Sequence, residues 1–105
     1  MKALPETPAL LAVAERVVWF KKPAEALAAP VHFLAHVMTY GTVEDLRALQ
    51  GVVDASDYRY ALERAPAGVF DERSWAYWNL RSGFSPALPL PVRRGLQTGE
   101  PSPST

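Results

Sequence analysis

Ten prolines divide this chain of 105 residues into short segments, and their positions constrain its fold more than any other feature. Four of them stand where a helix can begin or must stop; these are Pro8, Pro23, Pro30 and Pro66. Proline suits the first turn of a helix, where N–H groups are unpaired in any case, but it interrupts a helix interior. Five more follow residue 85, where helical periodicity ends. The pattern predicts several short helices and then an extended segment.

Apolar residues between these prolines recur at three- and four-residue spacing, which is the period of an amphipathic helix. A first helix is predicted over residues 8–19 behind the cap Thr7, and a short turn of helix follows Pro23. Pro30 begins a central, mostly buried helix that Gly41 is expected to end in the left-handed conformation. A fourth helix is predicted from Thr42 toward Gly51. The next helix is capped by Asp54 or Ser56 and carries an exposed Arg59–Glu63 pair. The last predicted helix spans Glu72–Arg81.

These segments predict an all-α fold, a small bundle of four to six short helices over residues 1–85. Residues 86–105 form a proline-rich tail, extended over 86–92 and disordered from Arg93. Leu88, Leu90 and Val92 are available to lie on the domain. The length leaves room for one hydrophobic core.

The start of the last predicted helix is the best specified in the sequence. Asp71 can cap it, and Phe70 and Trp75 have the spacing of a hydrophobic staple. Trp75 and Trp78 lie three residues apart and share a face, which favours packing on the core. Asn79 is expected to link helices through hydrogen bonds.

Tyr77 and Arg81 lie on a neighbouring face of the same helix. Aromatic and arginine side chains are frequent at binding hot spots. We therefore predict that Tyr77 and Arg81 bind a partner, with Trp78 as a further candidate.

Charge and cysteine content exclude several classes of function. Eleven basic and eleven acidic side chains give a formal net charge of zero, so binding to nucleic acid or to an anionic membrane is not favoured. The absence of cysteine removes disulfides, thiolate catalysis and the usual structural zinc sites, and it favours a cytoplasmic location. The apolar run 9–14 is soon followed by Glu15 and Arg16, and it is too short for the apolar part of a signal sequence or for a membrane span.

His32 and His36 stand one turn apart on the central helix, as two metal-ligating imidazoles would. A metal site would need a third ligand from another helix, and the intervening residues are apolar. The favoured interpretation is a pair of histidines on the polar edge of a buried helix, and both are kept as candidate partner-binding residues. No metal or cofactor is predicted.

The segment 43–62 resembles a helix-turn-helix, since Gly51 separates two short helices. Asp57 and Glu63 on the second helix would repel phosphates, so a DNA-binding regulator is a minor alternative.

Two stretches, His32–Asp45 and Phe70–Leu80, resemble a family of short bacterial all-helical proteins of unknown function. The shared layout is a helix ending in glycine, an acidic cap and a late helix with a Ser-x-x-x-Trp pattern, and the resemblance covers about residues 19–92. Members of this family look like neighbours of nucleotidyltransferase-type toxins of abortive-infection systems. The resemblance implies an antitoxin-like or accessory role, and it brings no catalytic residues.

The sequence thus predicts a non-enzymatic helical protein–protein interaction module, with a protein partner and no membrane contact. The alternatives are a metal-binding protein that uses His32 and His36, and a DNA-binding regulator.

Overall fold

The computed structural model describes residues 1–91, and this part of the chain contains helices and no β-strand. The helices are α1 (Pro8–Val17), α2 (Pro23–Leu27), α3 (Pro30–Tyr40), α4 (Val43–Ala48), α5 (Ala55–Glu63) and α6 (Glu72–Arg81). The predicted all-α fold is confirmed for these residues. The prediction of a disordered tail from Arg93, and that for Val92, lie outside the described residues.

Helix α1 is shorter than predicted, because it ends at Val17 and not at residue 19. Pro23 requires an extended residue before it, and Lys22 has the extended conformation, with φ −66° and ψ 141°. Pro23 thus excludes Lys22 from the helix, and the main chain already leaves helical geometry at Val18, with φ −126° and ψ 65°. As a consequence, Trp19 and Phe20 stand in the loop between α1 and α2 rather than on a helix.

Side-chain caps fix where the helices begin. Thr42 and Asp45 form a reciprocal capping box at α4, and Asp54 and Asp57 form another at α5. Asp54 is therefore the cap of α5, and the Ser56 hydroxyl donates to its carboxylate at 2.6 Å. The other two side-chain caps are Thr7, which accepts from Leu10 N–H at 3.3 Å, and Asp71, which accepts from Ser74 N–H at 2.6 Å.

Helix α3 is the centre of the fold, as its wide apolar face predicts. It contacts α1, α2, α5 and α6. Its buried side chains are Pro30, Phe33, Leu34, Ala35, His36, Val37 and Met38. Burial on several sides leaves only part of one face of α3 for the surface.

Gly41 ends α3, but the expected left-handed conformation is wrong, since its φ is −74° and its ψ is 159°. Glycine is required here for a different reason. A Cβ atom at this position would lie 2.5 Å from the main-chain oxygen of Val37, which is too close for any real Cβ contact. The absence of a side chain lets the Gly41 N–H reach that oxygen at 2.8 Å.

Helix α6 closes the core through its two tryptophans, and the staple is confirmed: the rings of Phe70 and Trp75 lie 5.0 Å apart, edge to face. The indole N–H of Trp78 donates to the carbonyl of Met38 at 2.8 Å. That carbonyl lies in the last turn of α3, where helix geometry supplies no partner. Trp78 thus caps one helix from another, 40 residues away.

The expected Arg59–Glu63 pair is not formed. The Arg59 guanidinium donates to the carbonyl of Ser82 and lies 4.5 Å from the centre of the Phe84 ring. The carboxylate of Glu63 is 3.7 Å from Arg64 instead. Arg59 thus contacts Ser82 and Phe84, which follow α6 in the chain, and not Glu63 on its own helix. A tertiary contact replaces the predicted local pair.

Residues 86–91 lie against the helical domain, where Leu88 and Leu90 pack on the core. This confirms the expectation for these two leucines. Asn79 contributes to this contact and, contrary to the prediction, does not link two helices. Its amide nitrogen donates to the Trp75 carbonyl in the same helix, and its oxygen accepts from the N–H of Leu88.

No helix among residues 1–91 is long and apolar enough to cross a membrane.

Candidate functional site

Five rings meet on the surface of the domain, where the loop between α1 and α2 crosses α3. Trp19 and Phe20 come from the loop, and His32, His36 and Tyr40 come from α3. The three α3 residues are spaced by four, so they lie along one side of the helix. We call these five residues the aromatic–histidine cluster.

The rings of the cluster form a continuous series of contacts. On the α3 side, the centre of the His36 ring is 4.4 Å from that of His32 and 5.8 Å from that of Tyr40. Phe20 lies 5.5 Å from His36, and Trp19 lies 6.1 Å from Tyr40 in an edge-to-face arrangement. Trp19 and Phe20 also meet edge to face, at 5.6 Å. The two contacts of Trp19 have the separations and the edge-to-face angles that aromatic pairs prefer, whereas the contacts of His36 are tilted. Together these rings hold the loop against α3.

Exposure divides the cluster into a base and a surface. His36 is only 5% exposed, and His32 is partly buried. Trp19, Phe20 and Tyr40 are 67%, 55% and 54% exposed. Large aromatic side chains grouped at the surface are unusual in a soluble domain, and such patches mark interaction sites.

One hydrogen bond orients the buried imidazole. Nδ1 of His36 lies 2.9 Å from the carbonyl oxygen of His32, and a carbonyl can only accept. Nδ1 therefore carries a proton, and in the neutral ring Nε2 is left as an acceptor. The ring is fixed in place beneath Phe20 and beside Tyr40.

Burial lowers the pKa of the His32 imidazole, and the neighbouring charges of His36 and Lys21 lower it further. The neutral form of His32 is therefore favoured in the folded protein. Lys21 and Lys22 are both exposed and directly follow Phe20. The cluster thus combines an apolar centre with positive charge at one edge.

The two histidines fit a metal site only in part. Their rings are adjacent, but residues 1–91 contain no group of three His, Cys, Asp or Glu side chains placed to hold one ion. One of the four ring nitrogens, Nδ1 of His36, is also occupied by the main-chain contact to His32.

Tyr77 and Arg81 form a separate feature on α6. The Arg81 guanidinium donates to the Tyr77 hydroxyl at 2.8 Å and lies 5.6 Å from the centre of the Trp78 ring. Tyr77 is 51% exposed, whereas Trp78 is 5% exposed and bonded to α3. Trp78 therefore contributes mainly to the core, and Tyr77 and Arg81 remain accessible.

A cleft of about 310 Å³ opens beside Tyr77, between α6 and the junction of α3 with α4. Its apolar lining includes Met38, Val43 and Leu46. Val43 is 63% exposed at its rim. Among the predicted site residues, Tyr77 thus contacts Arg81, and His32 contacts His36. No ring contact among residues 1–91 joins the Tyr77–Arg81 pair to the histidine pair.

The surface role of Trp19, Phe20 and Tyr40 is absent from the sequence prediction. A signal for the loop pair does exist: two consecutive aromatic residues precede Lys21-Lys22-Pro23. Successive residues of a helix point about 100° apart, and a helix cannot direct both rings into one core. The contact between Trp19 and Tyr40 depends on the path of the loop across α3, which no local pattern specifies.

The chain matches no protein-family model, no curated protein and no solved structure.

Proposed function

We propose that this chain is a non-enzymatic protein–protein interaction module and that the aromatic–histidine cluster is its docking surface. The observation that carries the proposal is a group of three exposed rings: Trp19 contacts Phe20 and Tyr40. Phe20 and Tyr40 in turn contact the buried imidazole of His36. Tryptophan and tyrosine dominate binding energy at protein interfaces, because they cover a large area and lose little conformational freedom.

The arrangement is pre-organised for docking. Trp19 contacts both Phe20 and Tyr40, and Phe20 contacts the fixed ring of His36. A surface whose side chains are already held in place loses less entropy when a partner binds. The three exposed rings can thus form the apolar centre of an interface, and polar residues around them can form its rim.

The surroundings of the two histidines support a binding role rather than catalysis. Their ring contacts are with each other and with Phe20 and Tyr40, and the one hydrogen bond that their side chains make within residues 1–91 is to a main-chain carbonyl. A histidine that acts as a general base is normally bonded to a nucleophile or oriented by a carboxylate.

Charge favours a protein partner over nucleic acid. Exposed rings next to Lys21 and Lys22 could also stack on unpaired bases, but single-stranded binding requires a positive groove along the backbone. The chain as a whole has a formal net charge of zero. A partner with apolar side chains flanked by acidic groups matches this surface better.

The family resemblance narrows the proposal to an antitoxin-like or accessory protein of a bacterial system that works in the cytoplasm. This narrower role predicts that the partner is encoded beside the gene for this chain. Co-expression with the products of neighbouring genes, followed by affinity purification, tests it directly.

The docking surface is tested by variants in the same purification. We expect the double change Trp19→Ala and Tyr40→Ala to remove the partner while the protein stays folded. Leu80→Ala is the matched control, because Leu80 is 75% exposed and lies outside the cluster. Equal recovery of the partner with both variants would contradict the proposal. So would salt-sensitive binding of single-stranded RNA that depends on the same rings.

A further inference from the structure

Trp75 and Asn79 direct their polar groups at a single residue outside the helices. The indole N–H of Trp75 donates to the carbonyl of Leu88 at 2.6 Å, and the side-chain oxygen of Asn79 accepts from the N–H of Leu88 at 2.9 Å. Both main-chain groups of one residue are thus bound by two side chains that stand one turn apart on α6.

Both side chains are buried at the place where they make these hydrogen bonds. Asn79 has no exposed surface, and Trp75 is 5% exposed. The Asn79 amide is held in orientation by its own donation to the Trp75 carbonyl at 2.8 Å. A buried polar group without a partner is costly, so α6 contains a site that requires the main-chain groups of a neighbouring segment to complete it.

The occupant of the site has a distinctive composition. Residues 86–91 read Pro-Ala-Leu-Pro-Leu-Pro, and three of the six cannot donate a main-chain hydrogen bond. Leu88 is one of the residues that can, and the site uses its N–H. Prolines on both sides favour an extended conformation before binding, which lowers the entropy lost on docking.

We propose that Trp75 and Asn79 form a binding site for extended Pro-x-Leu-Pro peptides, which is occupied in this chain by residues 86–91. A partner protein with such a segment can take the place of the chain's own segment. This inference is independent of the aromatic–histidine cluster, which lies in other residues.

A synthetic peptide that spans residues 84–92 tests the site on the full-length protein. The full-length variant Leu88→Pro keeps Trp75 and Asn79 but removes the N–H that holds the segment in place. We expect it to bind the added peptide with higher affinity than the natural chain does, and we expect the Trp75 indole resonance to shift on binding.

Chemical modification of the peptide gives the matched control. N-methylation at Leu88 removes one hydrogen and keeps the side chain, so it should weaken binding by about tenfold, the effect of an unpaired buried acceptor. N-methylation at Leu90, whose N–H makes no hydrogen bond within residues 1–91, should have a much smaller effect.

The natural chain provides a second measurement that does not require the variant to fold. At high concentration, a fluorescently labelled copy of the unmodified peptide should compete with the attached segment and bind to the natural chain, whereas the labelled Leu88-methylated peptide should not. Equal binding of the two peptides, or no binding to either protein, would overturn the proposal. A dimer of the natural chain that exchanges these segments would also overturn it, because the occupant would then be a second copy.

Discussion

The ring of Phe20, in a loop, lies 5.5 Å from the ring of His36, which is buried in the central helix. This contact connects the exposed part of the aromatic–histidine cluster to the core. It predicts that Phe20→Ala loosens the loop and lowers the free energy of unfolding by about 1 kcal/mol, the value of an aromatic pair. Chemical denaturation checks this, with Leu80→Ala as an exposed control that should change stability little. Equal losses in both variants would show that Phe20 is not held against α3.

The imidazole of His32 should make the fold less stable in mild acid. Its pKa is lowered by burial and by the charges of His36 and Lys21, so the unfolded chain binds a proton more readily than the folded one. Stability should therefore fall as the pH decreases from about 6.5, the unperturbed value, toward the lower pKa of the folded state. Denaturation at a series of pH values measures this. His32→Gln should reduce the dependence in that window, and an unchanged profile would contradict the assignment to His32.

A second dependence on pH should arise from Asp45 at lower values. Burial raises the pKa of this carboxyl, but hydrogen bonds from Arg16 and from the Thr42 main chain lower it more, and the result is below the ordinary value. The group therefore stabilises the fold above its unfolded pKa of about 3.9, and this stabilisation is lost as the pH falls through the lower folded pKa.

Asp45→Asn tests that contribution. The carboxylate is 1% exposed and lies 2.5 Å from the Arg16 guanidinium, which connects α4 to α1. At neutral pH the variant should lose about 1–2 kcal/mol, through the weakened cap and the lost ion pair. Glu44→Gln is the control in the same turn, because the Glu44 side chain is 78% exposed. A similar loss in both variants would show that the Arg16 contact adds nothing.

Trp78→Phe should be strongly destabilising, because it leaves the Met38 carbonyl without its donor and leaves a space in the core. The expected loss is about 2–4 kcal/mol, from the unpaired acceptor together with the cavity. Tyr77→Phe removes only an exposed hydroxyl from the neighbouring position and should cost less than about 0.5 kcal/mol. Thermal unfolding of both variants makes the comparison, and a small effect at Trp78 would show that it does not join α6 to α3.

Two glycines should respond differently to the same substitutions. At Gly41 a Cβ would meet the Val37 oxygen, so alanine and asparagine should both destabilise the fold by about 1–3 kcal/mol. At Gly51 there is open space around the position but φ is +81°, which asparagine adopts more readily than alanine does. Gly51→Asn should therefore be the milder change there. Denaturation of the four variants measures this. The same difference between alanine and asparagine at both positions would contradict these reasons.

Much of the fold follows from local signals. Thr42 and Asp71 each combine a capping side chain with a following apolar repeat, and each begins a helix where that combination predicts. Asp54 is one of the two caps that the sequence allows for α5. Such interactions involve residues three or four apart, so the sequence displays both partners together. The staple of Phe70 and Trp75 is local in the same way.

Contacts between distant segments and close main-chain approaches do not follow from such signals. The local pattern predicts a left-handed conformation at Gly41, whereas the tight approach to Val37 determines its role. The same kind of pattern predicts that Asn79 joins helices, but the partner of its side-chain oxygen is Leu88 in the segment that follows α6. Nothing in the sequence around Asn79 specifies Leu88 as its neighbour, and the four-residue spacing of Gly41 and Val37 does not show how closely their main chains approach.

The same limit applies to the candidate site. The pair His32 and His36 is predictable because four-residue spacing on a helix is visible in sequence. Their association with the loop residues Trp19 and Phe20 depends on the direction in which the loop leaves α1. The sequence also predicts Tyr77 and Arg81 as neighbours on α6, and they are bonded to each other, while their role in binding stays a prediction.

Site-specific cross-linking tests the central claim most directly, because it captures the partner whatever its identity. A photoreactive benzoylphenylalanine is placed at Phe20, at Tyr77 or at Leu80 in separate full-length proteins, which are irradiated in the source cells. The proposed docking surface predicts one discrete protein adduct from position 20, lost when Trp19 and Tyr40 are changed to alanine, and none from position 80. An adduct from position 77 alone, or equal adducts from all three positions, would contradict the proposal that the aromatic–histidine cluster is where the partner binds.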